Sequence, residues 1–415
     1  MFPECLDTPG KEQATDTLRP IGAIVAGHLC LDINPSFAID GGQSIKDILV
    51  PGKLVNMGEV ALSTGGAVSN TGISLHLLGI ETRLMGKIGV DLFGGVVEKI
   101  LDSYQVADGL IKDKQASTSY SVVIAPPGVD RIFLHHPGAN DTFCTDDLNL
   151  DLIRSARLFH FGYPPLMKRM YIDHGNELVR LFQAARSCGA TTSLDLALPD
   201  PASAAGQANW PEILDRILPL ADLFAPSLEE LLFTTERAEF ERIKAITRDG
   251  DFMDGFDFDR LPALADKALA KGVKIVVIKL GRRGCYVRTA GCHDLSKIGP
   301  AAPSDLSNWA DREIWSGVFH VSQVASTSGA GDASIAGFLA GLLTGLPIET
   351  TCRLACAAGA LKIQVHTSVG GVLPLAETLD RMAGWAMEEP DLDHGYWQYD
   401  AAQKIWHGRN DRCQA

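Results

Sequence analysis

The chain has 415 residues, 46% hydrophobic and 21% charged, and its 37 Lys and Arg against 51 Asp and Glu give a formal charge of −14 at pH 7. That composition supplies one large core or two smaller ones and excludes disorder of the whole chain. An acidic balance with no long basic run argues against a nucleic-acid or anionic-membrane surface, so small molecules are the expected partners. The nine cysteines are scattered, odd in number and without a CxxC spacing, which suits a reducing compartment. Residues 1–20 form a polar extension broken by Pro3, Pro9 and Pro20, with no export signal, and the apolar stretch Ala333 to Leu343 is too short to span a bilayer. A cytoplasmic protein is expected.

In chain order, Ile21 to Leu31 reads as one buried strand, which places Asp32 at a strand end. Gly41 to Glu59 suggests short strands or a flap. Gly65-Gly66 precedes a helix over Ala67 to Leu78, with Asn70 in its first turns. Thr82 to Ile88 reads as a strand and Leu92 to Tyr104 as a helix. Thr118 to Ile124 and Asp130 to His135 alternate as two antiparallel strands around a Pro126-Pro127-Gly128 turn, and are suited to complete the flap. Short apolar segments follow at Leu158 to Phe161, Thr191 to Leu196, Leu223 to Ala225 and Val273 to Leu280, with helices between them at Gly175 to Cys188 and Leu261 to Leu269. That rhythm predicts parallel strands covered by helices. Residues 290–316 read as a loop-rich insertion, either functional or a surface elaboration. Leu354 to Ile363 is predicted to be another covering helix, a last helix docks beyond Pro374, and Asp391 to Ala415 is a polar tail containing aromatic residues.

The most informative stretch is Ser328-Gly329-Ala330-Gly331-Asp332. Ile335, Phe338, Leu339 and Leu342 recur behind it at helical spacing, so a glycine turn delivers one carboxylate to the start of an apolar helix. Free amides in such a first turn bind anions. An acidic residue there suits the helix dipole, but beside a phosphate it needs a chemical task or a metal to face. From this pattern alone, a capped helix and a phosphate site both stay open.

Three segments together, Ala325-Ser326-Thr327-Ser328-Gly329-Ala330-Gly331-Asp332-Ala333, Gly65-Gly66-Ala67-Val68-Ser69-Asn70 and Gly27-His28-Leu29-Cys30-Leu31-Asp32, resemble the ribokinase-like, PfkB-type carbohydrate kinases. Gly138-Ala139-Asn140 and Leu280-Gly281-Arg282-Arg283-Gly284 support the likeness. The resemblance implies an α/β fold, a ribokinase-like three-layer α/β/α core over 21–375 with a small β-sheet lid from about 35–62 and 107–136, followed by a C-terminal helix and tail over 376–415. It implies transfer of the ATP γ-phosphoryl to a sugar or polyol hydroxyl, with Asp332 as general base and the amides of Gly329, Ala330 and Gly331 as the anion hole.

By the same resemblance, Asp32 and Asn70 bind the sugar, while Gly65 and Gly66 allow close approach or lid movement. Gly281, Gly284, Thr327, Gly329 and Gly331 lie on the nucleotide side. Glu230 in Pro226-Ser227-Leu228-Glu229-Glu230 matches the glutamate of the family's Asn-x-x-Glu, which organises Mg²⁺ through water; Ser227 replaces the asparagine. Ser326 replaces an aspartate before Thr327, which weakens a carried-over monovalent-cation site. An exposed lid-sheet edge points to a homodimer. Gly27 to Asp32 lacks the GxGxxG of a dinucleotide enzyme. A nucleoside kinase and a non-catalytic sugar- or nucleotide-binding sensor are the remaining rivals.

Overall fold

The computed structural model describes residues 19–37, 50–125, 132–248, 250–367, 369–390, 392 and 395–412. The turn at 126–128, most of the N-terminal extension and residues 41–49 of the Gly41 to Glu59 stretch lie outside these. The strands are β1 (Ile21–Gly27), β2 (Cys30–Phe37), β3 (Met57–Gly65), β4 (Thr82–Gly89), β5 (Ile111–Asp113), β6 (Tyr120–Ile124), β7 (Ile132–His136), β8 (Ala156–Gly162), β9 (Thr191–Leu194), β10 (Leu223–Phe224), β11 (Ile275–Lys279), β12 (Cys285–Thr289), β13 (Glu313–Ser316), β14 (Gln398–Asp400) and β15 (Ile405–His407). Eleven of them form one sheet in the order β14-β15-β13-β12-β11-β10-β9-β8-β1-β4-β5. The run from β5 to β11 is parallel throughout, and β12, β13, β15 and β14 continue it antiparallel.

The central strands read as continuous apolar runs because both of their faces are covered. Along β1, Ile24 and Ala26 point into one core and Ala23 and Val25 into the other; along β11, Val276 and Ile278 oppose Ile275 and Val277 in the same way. The first core is closed by α3 (Asn176–Ser187), α4 (Leu228–Thr235) and α5 (Leu261–Ala270), through Leu178, Phe182, Leu231 and Leu264. The second is closed by α1 (Ala67–Leu77), α2 (Leu92–Ser103), α6 (Ala330–Leu343) and α7 (Ile348–Lys362), through Ile73, Val97, Phe338 and Leu354. This is the expected three-layer α/β/α arrangement. Among the described residues, no helix is long and apolar enough to cross a membrane.

A separate four-stranded sheet, β3-β2-β6-β7, forms the lid. Three expectations need correction. The apolar run Ile21 to Leu31 is two strands: the chain leaves the large sheet at Gly27 (φ 126°), and Cys30 already belongs to the lid, so Asp32 lies inside a lid strand and not at the end of a core strand. Ile111–Asp113, within the stretch assigned to the lid, pairs with β4 at the edge of the large sheet. The 290–316 insertion contains β13, a fully buried strand of that sheet, and the tail beyond Asp391 supplies β14 and β15 at its other edge.

An ion-pair cluster fastens this tail. The guanidinium of Arg312 is fully buried and meets Glu349 Oε1 at 2.6 Å and Asp411 Oδ1 at 2.7 Å, while His407 Nδ1 lies 2.6 Å from Asp411 Oδ2. Removing one partner of a buried pair strands the other charge. Asp411→Ala is therefore expected to cost about 3–5 kcal/mol, read from the urea unfolding midpoint. A midpoint equal to that of the unaltered protein would show that the tail does not brace the sheet.

Candidate active site

β1 and β8 run side by side and end together at Gly27 and Gly162. Beyond β1, His28 and Leu29 lead into the lid, where Cys30 pairs with Gly65 and Asp32 with Ser63. The two glycines leave no room for side chains: a Cβ on Gly65 would strike the Asp32 carboxylate, and Gly66 has φ +90° with His28 Nδ1 2.6 Å from where its Cβ would stand. Only glycine meets both demands and still passes the chain into α1.

The opening turn of α6 comes next to this junction. Gly329 caps it in the left-handed conformation (φ 74°), and Asp332, 2% exposed, lies in its first turn. Three side chains donate to that carboxylate: Asn70 Nδ2 to Oδ2 at 3.0 Å, Thr71 Oγ1 to Oδ1 at 3.3 Å and Tyr163 OH to Oδ2 at 2.8 Å. Tyr163 sits just past β8 with φ 68°, a conformation costly for a bulky side chain and the kind of local strain that surrounding contacts maintain at working sites. The Asn70 carbonyl oxygen is buried and has no hydrogen-bond partner among the described residues. Of the amides nominated as the anion hole, that of Ala330 donates to Thr327 O at 3.3 Å within the turn, and the amide of Ser328 donates to Ser326 Oγ at 3.2 Å.

A second group of charges lies at the strand ends on the other side of Gly331. The Lys279 ammonium donates to Asp195 Oδ1 at 2.7 Å and lies 3.8 Å from Glu230 Oε2. Burial pushes the Asp195 carboxyl up and by itself would lower the lysine. Asp195, Glu230 and Asp332 outweigh that second effect and hold the Lys279 ammonium above its ordinary value. Glu230 is also tied locally: Ser227 N donates to its Oε2 at 2.6 Å and its own amide donates to Ser227 Oγ at 3.2 Å, a capping box at the start of α4. The Gly281 to Gly284 turn lies between β11 and β12, and its Arg282 is paired with Asp251 and Asp254, Arg283 with Asp254.

A cleft of about 710 Å³ opens between the lid and the large domain at Asp332. The lid contributes Cys30, Asp32, Ser121 and His135; the large domain contributes Asn70, Tyr163, Thr327, Gly329 and Asp332. No lysine or arginine lines it among the described residues. The structure thus brings Asp32, Gly66, Asn70, Thr327, Gly329 and Asp332 to one cavity, with Glu230, Gly281 and Gly284 outside its wall. Burial, with the Asp32 carboxylate beside it, keeps the Cys30 thiol neutral, and it donates to Asp32 Oδ1 at 3.4 Å.

Sequence reasoning assigned no role to His28, His135, Thr71, Tyr163, Asp195 or Lys279. Tyr163, Asp195 and Lys279 share a signal: each stands at or just beyond the carboxyl end of a parallel strand, where open α/β sheets bind ligands.

Two buried rings make stability depend on pH. Burial, with a push from His135, lowers His28 from 6.5 to about 3; burial, with a push from Lys279, does the same to His160. Both rings are neutral in the folded protein and protonate near pH 6.5 when unfolded. The stability they carry is therefore complete above about pH 6.5 and lost as pH falls toward about 3, at about 1.4 kcal/mol per pH unit for each ring. His160→Gln should lower the slope of unfolding free energy against pH by about one proton over that window. A slope equal to that of the unaltered protein would mean that His160 is not held neutral.

Residues 43–374 match the model of the pfkB family carbohydrate kinases. A fructokinase of Solanum tuberosum is 26% identical over 377 residues, covering 88% of this chain and 97% of its own length. The structure resembles Arabidopsis thaliana ribokinase complexed with ribose and ATP (TM-score 0.62, 19% identity, 88% of this chain and 99% of that one) and Xylella fastidiosa fructokinase with bound ATP (TM-score 0.62, 19% identity, 87% and 98%). With a glycine turn, a buried carboxylate and a lidded cleft on one ribokinase-like scaffold, the chain belongs to the PfkB family of carbohydrate kinases.

Proposed function

We propose that this kinase transfers the γ-phosphoryl of ATP to a hydroxyl of an unphosphorylated sugar or polyol, with Asp332 as general base. The observation that carries this reading is that the buried Asp332 carboxylate, at the first turn of α6, opens onto the same cleft as Asp32 and Asn70. Asp32 accepts hydrogen bonds from a diol, and the Asn70 carbonyl oxygen, with no hydrogen-bond partner among the described residues, is left for a further ligand hydroxyl. The substrate hydroxyl takes the place of the Tyr163 OH on Asp332, gives up its proton there and attacks phosphorus in line, while ADP leaves. Backbone amides at Gly329 and Gly331, with the positive end of the helix, stabilise charge on the transferred group. A second phosphate on the acceptor would meet Asp32, Asp141, Asp200 and Asp332 with no lining cation among the described residues to offset them, which supports an unphosphorylated acceptor.

Mg²⁺ bound to ATP neutralises and orients its phosphates. Glu230 and the buried Asp195 Oδ2, which has no protein partner, are the carboxylates that would hold its water shell. Residues 21–375 act as the kinase domain, in a cytoplasmic protein. Met57, Val60 and Leu62 on β3, with Ile132 and Leu134 on β7, expose apolar side chains along both edge strands of the lid, which supports a homodimer through the lids; light scattering at the monomer mass across a concentration series would reject it.

The test is a screen of sugars, sugar phosphates and nucleosides for ATP-dependent product formation. An unphosphorylated sugar or polyol is the expected acceptor; a nucleoside would move the protein to the rival kinase class, and sugar binding without product would make it a sensor. With the acceptor in hand, Asp332→Asn should slow the chemical step by about 10²–10⁴, whereas Asp32→Asn should act mainly on acceptor KM. Near-normal product formation by folded Asp332→Asn would sink the mechanism.

A further inference from the structure

Lys279 ends β11, and its backbone is fixed there: its amide donates to Pro226 O at 3.0 Å, and the residue forms a parallel bridge with Ser227. The side chain is 13% exposed. On one side, the ammonium meets Asp195 at 2.7 Å and Glu230 at 3.8 Å. On the other lies the turn that opens α6: a Cβ built on Gly331 would stand 3.6 Å from Lys279 Cδ and 3.8 Å from Nζ. The ammonium therefore sits between two carboxylates and the backbone that receives the phosphoryl group in the reading above.

Burying an ion pair is a poor way to gain stability, because desolvation of both charges offsets their attraction. Charge balance gives the pair another purpose. Asp195, Glu230 and Asp332 surround this spot, and a polyphosphate brought to Gly331 would be repelled by all three. Lys279 carries the positive charge facing them, and an ammonium has three protons, one of which is spent on Asp195. Arg282 and Arg283, in the turn that the resemblance puts on the nucleotide side, are paired with Asp251 and Asp254, which leaves the neutralising task to another group.

We propose that Lys279 is a catalytic residue of the phosphoryl transfer, its ammonium contacting the transferred phosphoryl group and stabilising the negative charge that builds on its oxygens. The inference rests on the kinase reading. In the step, the bond from the acceptor oxygen to phosphorus forms as the bond from phosphorus to the ADP oxygen breaks. The acceptor proton goes to Asp332, and Lys279 keeps its own throughout. Asp195 positions the ammonium.

The competing role is that of a counter-ion for Asp195 alone, and a double-variant cycle on the full chain separates the two. Lys279→Met is compared with the unaltered protein, and Asp195→Asn/Lys279→Met with Asp195→Asn, using the acceptor found in the screen. The second comparison holds even where Lys279→Met alone fails to fold, because no unpaired carboxylate is left behind. A group that touches the phosphoryl should cost about 10²-fold in kcat on the Asp195→Asn background too, with acceptor KM unchanged. Calorimetry should show weakened binding of ADP with aluminium fluoride, a mimic of the transferred phosphoryl, and little change in binding of ADP. Loss of less than about threefold in kcat on that background, or equal weakening of the mimic and of ADP, overturns the role while leaving the kinase reading intact. A folded, unaltered protein that phosphorylates nothing in the screen removes both.

Discussion

A carboxylate taken out of water must be surrounded by donors or it will not stay ionised. Asp332 obtains its donors from Asn70 and Thr71 on α1 and from Tyr163 beyond β8, so three remote parts of the chain have to converge within hydrogen-bonding distance of one side chain. The parallel sheet makes this feasible. β4 and β8 flank β1, α1 packs under α6 in the second core, and the carboxyl ends of neighbouring strands therefore arrive at the amino ends of both helices. The apolar faces that drive folding and the polar groups that meet at the cleft are consequences of the same register.

The lid shares in this arrangement and does not merely cover it. Asp32 is carried by a lid strand, yet the space it occupies is set by Gly65 at the last position of β3, immediately before Gly66 turns the chain into α1. His28 in the large domain faces His135 of the lid with their Nε2 atoms 3.4 Å apart, and His135 Nδ1 lies 2.9 Å from Ser121 Oγ. Both rings are driven toward the neutral form, chiefly by burial. Neutral imidazoles can share a proton across such a gap, whereas two imidazolium ions would repel, so the lid and the core meet through a contact that depends on both rings remaining uncharged. Cys30 and Asp32 on β2 and Ser121 on β6 line the cleft beside this contact.

Much of the scaffold was legible because it follows from periodicity. The β4, β8, β9, β10 and β11 runs and the α1, α2, α3 and α5 helices were read from apolar spacing, and the glycine turn with Asp332 from a motif. The failures also have physical causes. A continuous apolar run hid the exit of β1 at Gly27, since hydropathy does not change when a chain leaves one sheet for another. β13 to β15 were hidden for the opposite reason: their strands are short and their burial is secured by charge pairing around Arg312 and by aromatic contacts such as Trp315 with Trp397, which no amphipathic pattern announces. At the site, a motif made the position of Asp332 legible, while Lys279, Asp195 and Tyr163 were missed because their partners lie far away in sequence.

The two departures from the family pattern become intelligible at this level. Ser227 stands where an asparagine is usual, and Ser326 where an aspartate is usual. Each serine hydroxyl accepts from a nearby backbone amide, that of Glu230 at 3.2 Å and that of Ser328 at 3.2 Å. A serine is shorter than the asparagine or aspartate it replaces, so each substitution gives up reach and adds a local brace. At Ser227 the brace extends to the carboxylate, because Glu230 Oε2 returns to the Ser227 amide and completes the capping box. On that side Lys279 is the charged group next to Gly331, with Asp195 and Glu230 on its far side, so the charge opposite the glycine turn is carried by the end of β11 and not by the helix terminus that Ser227 braces.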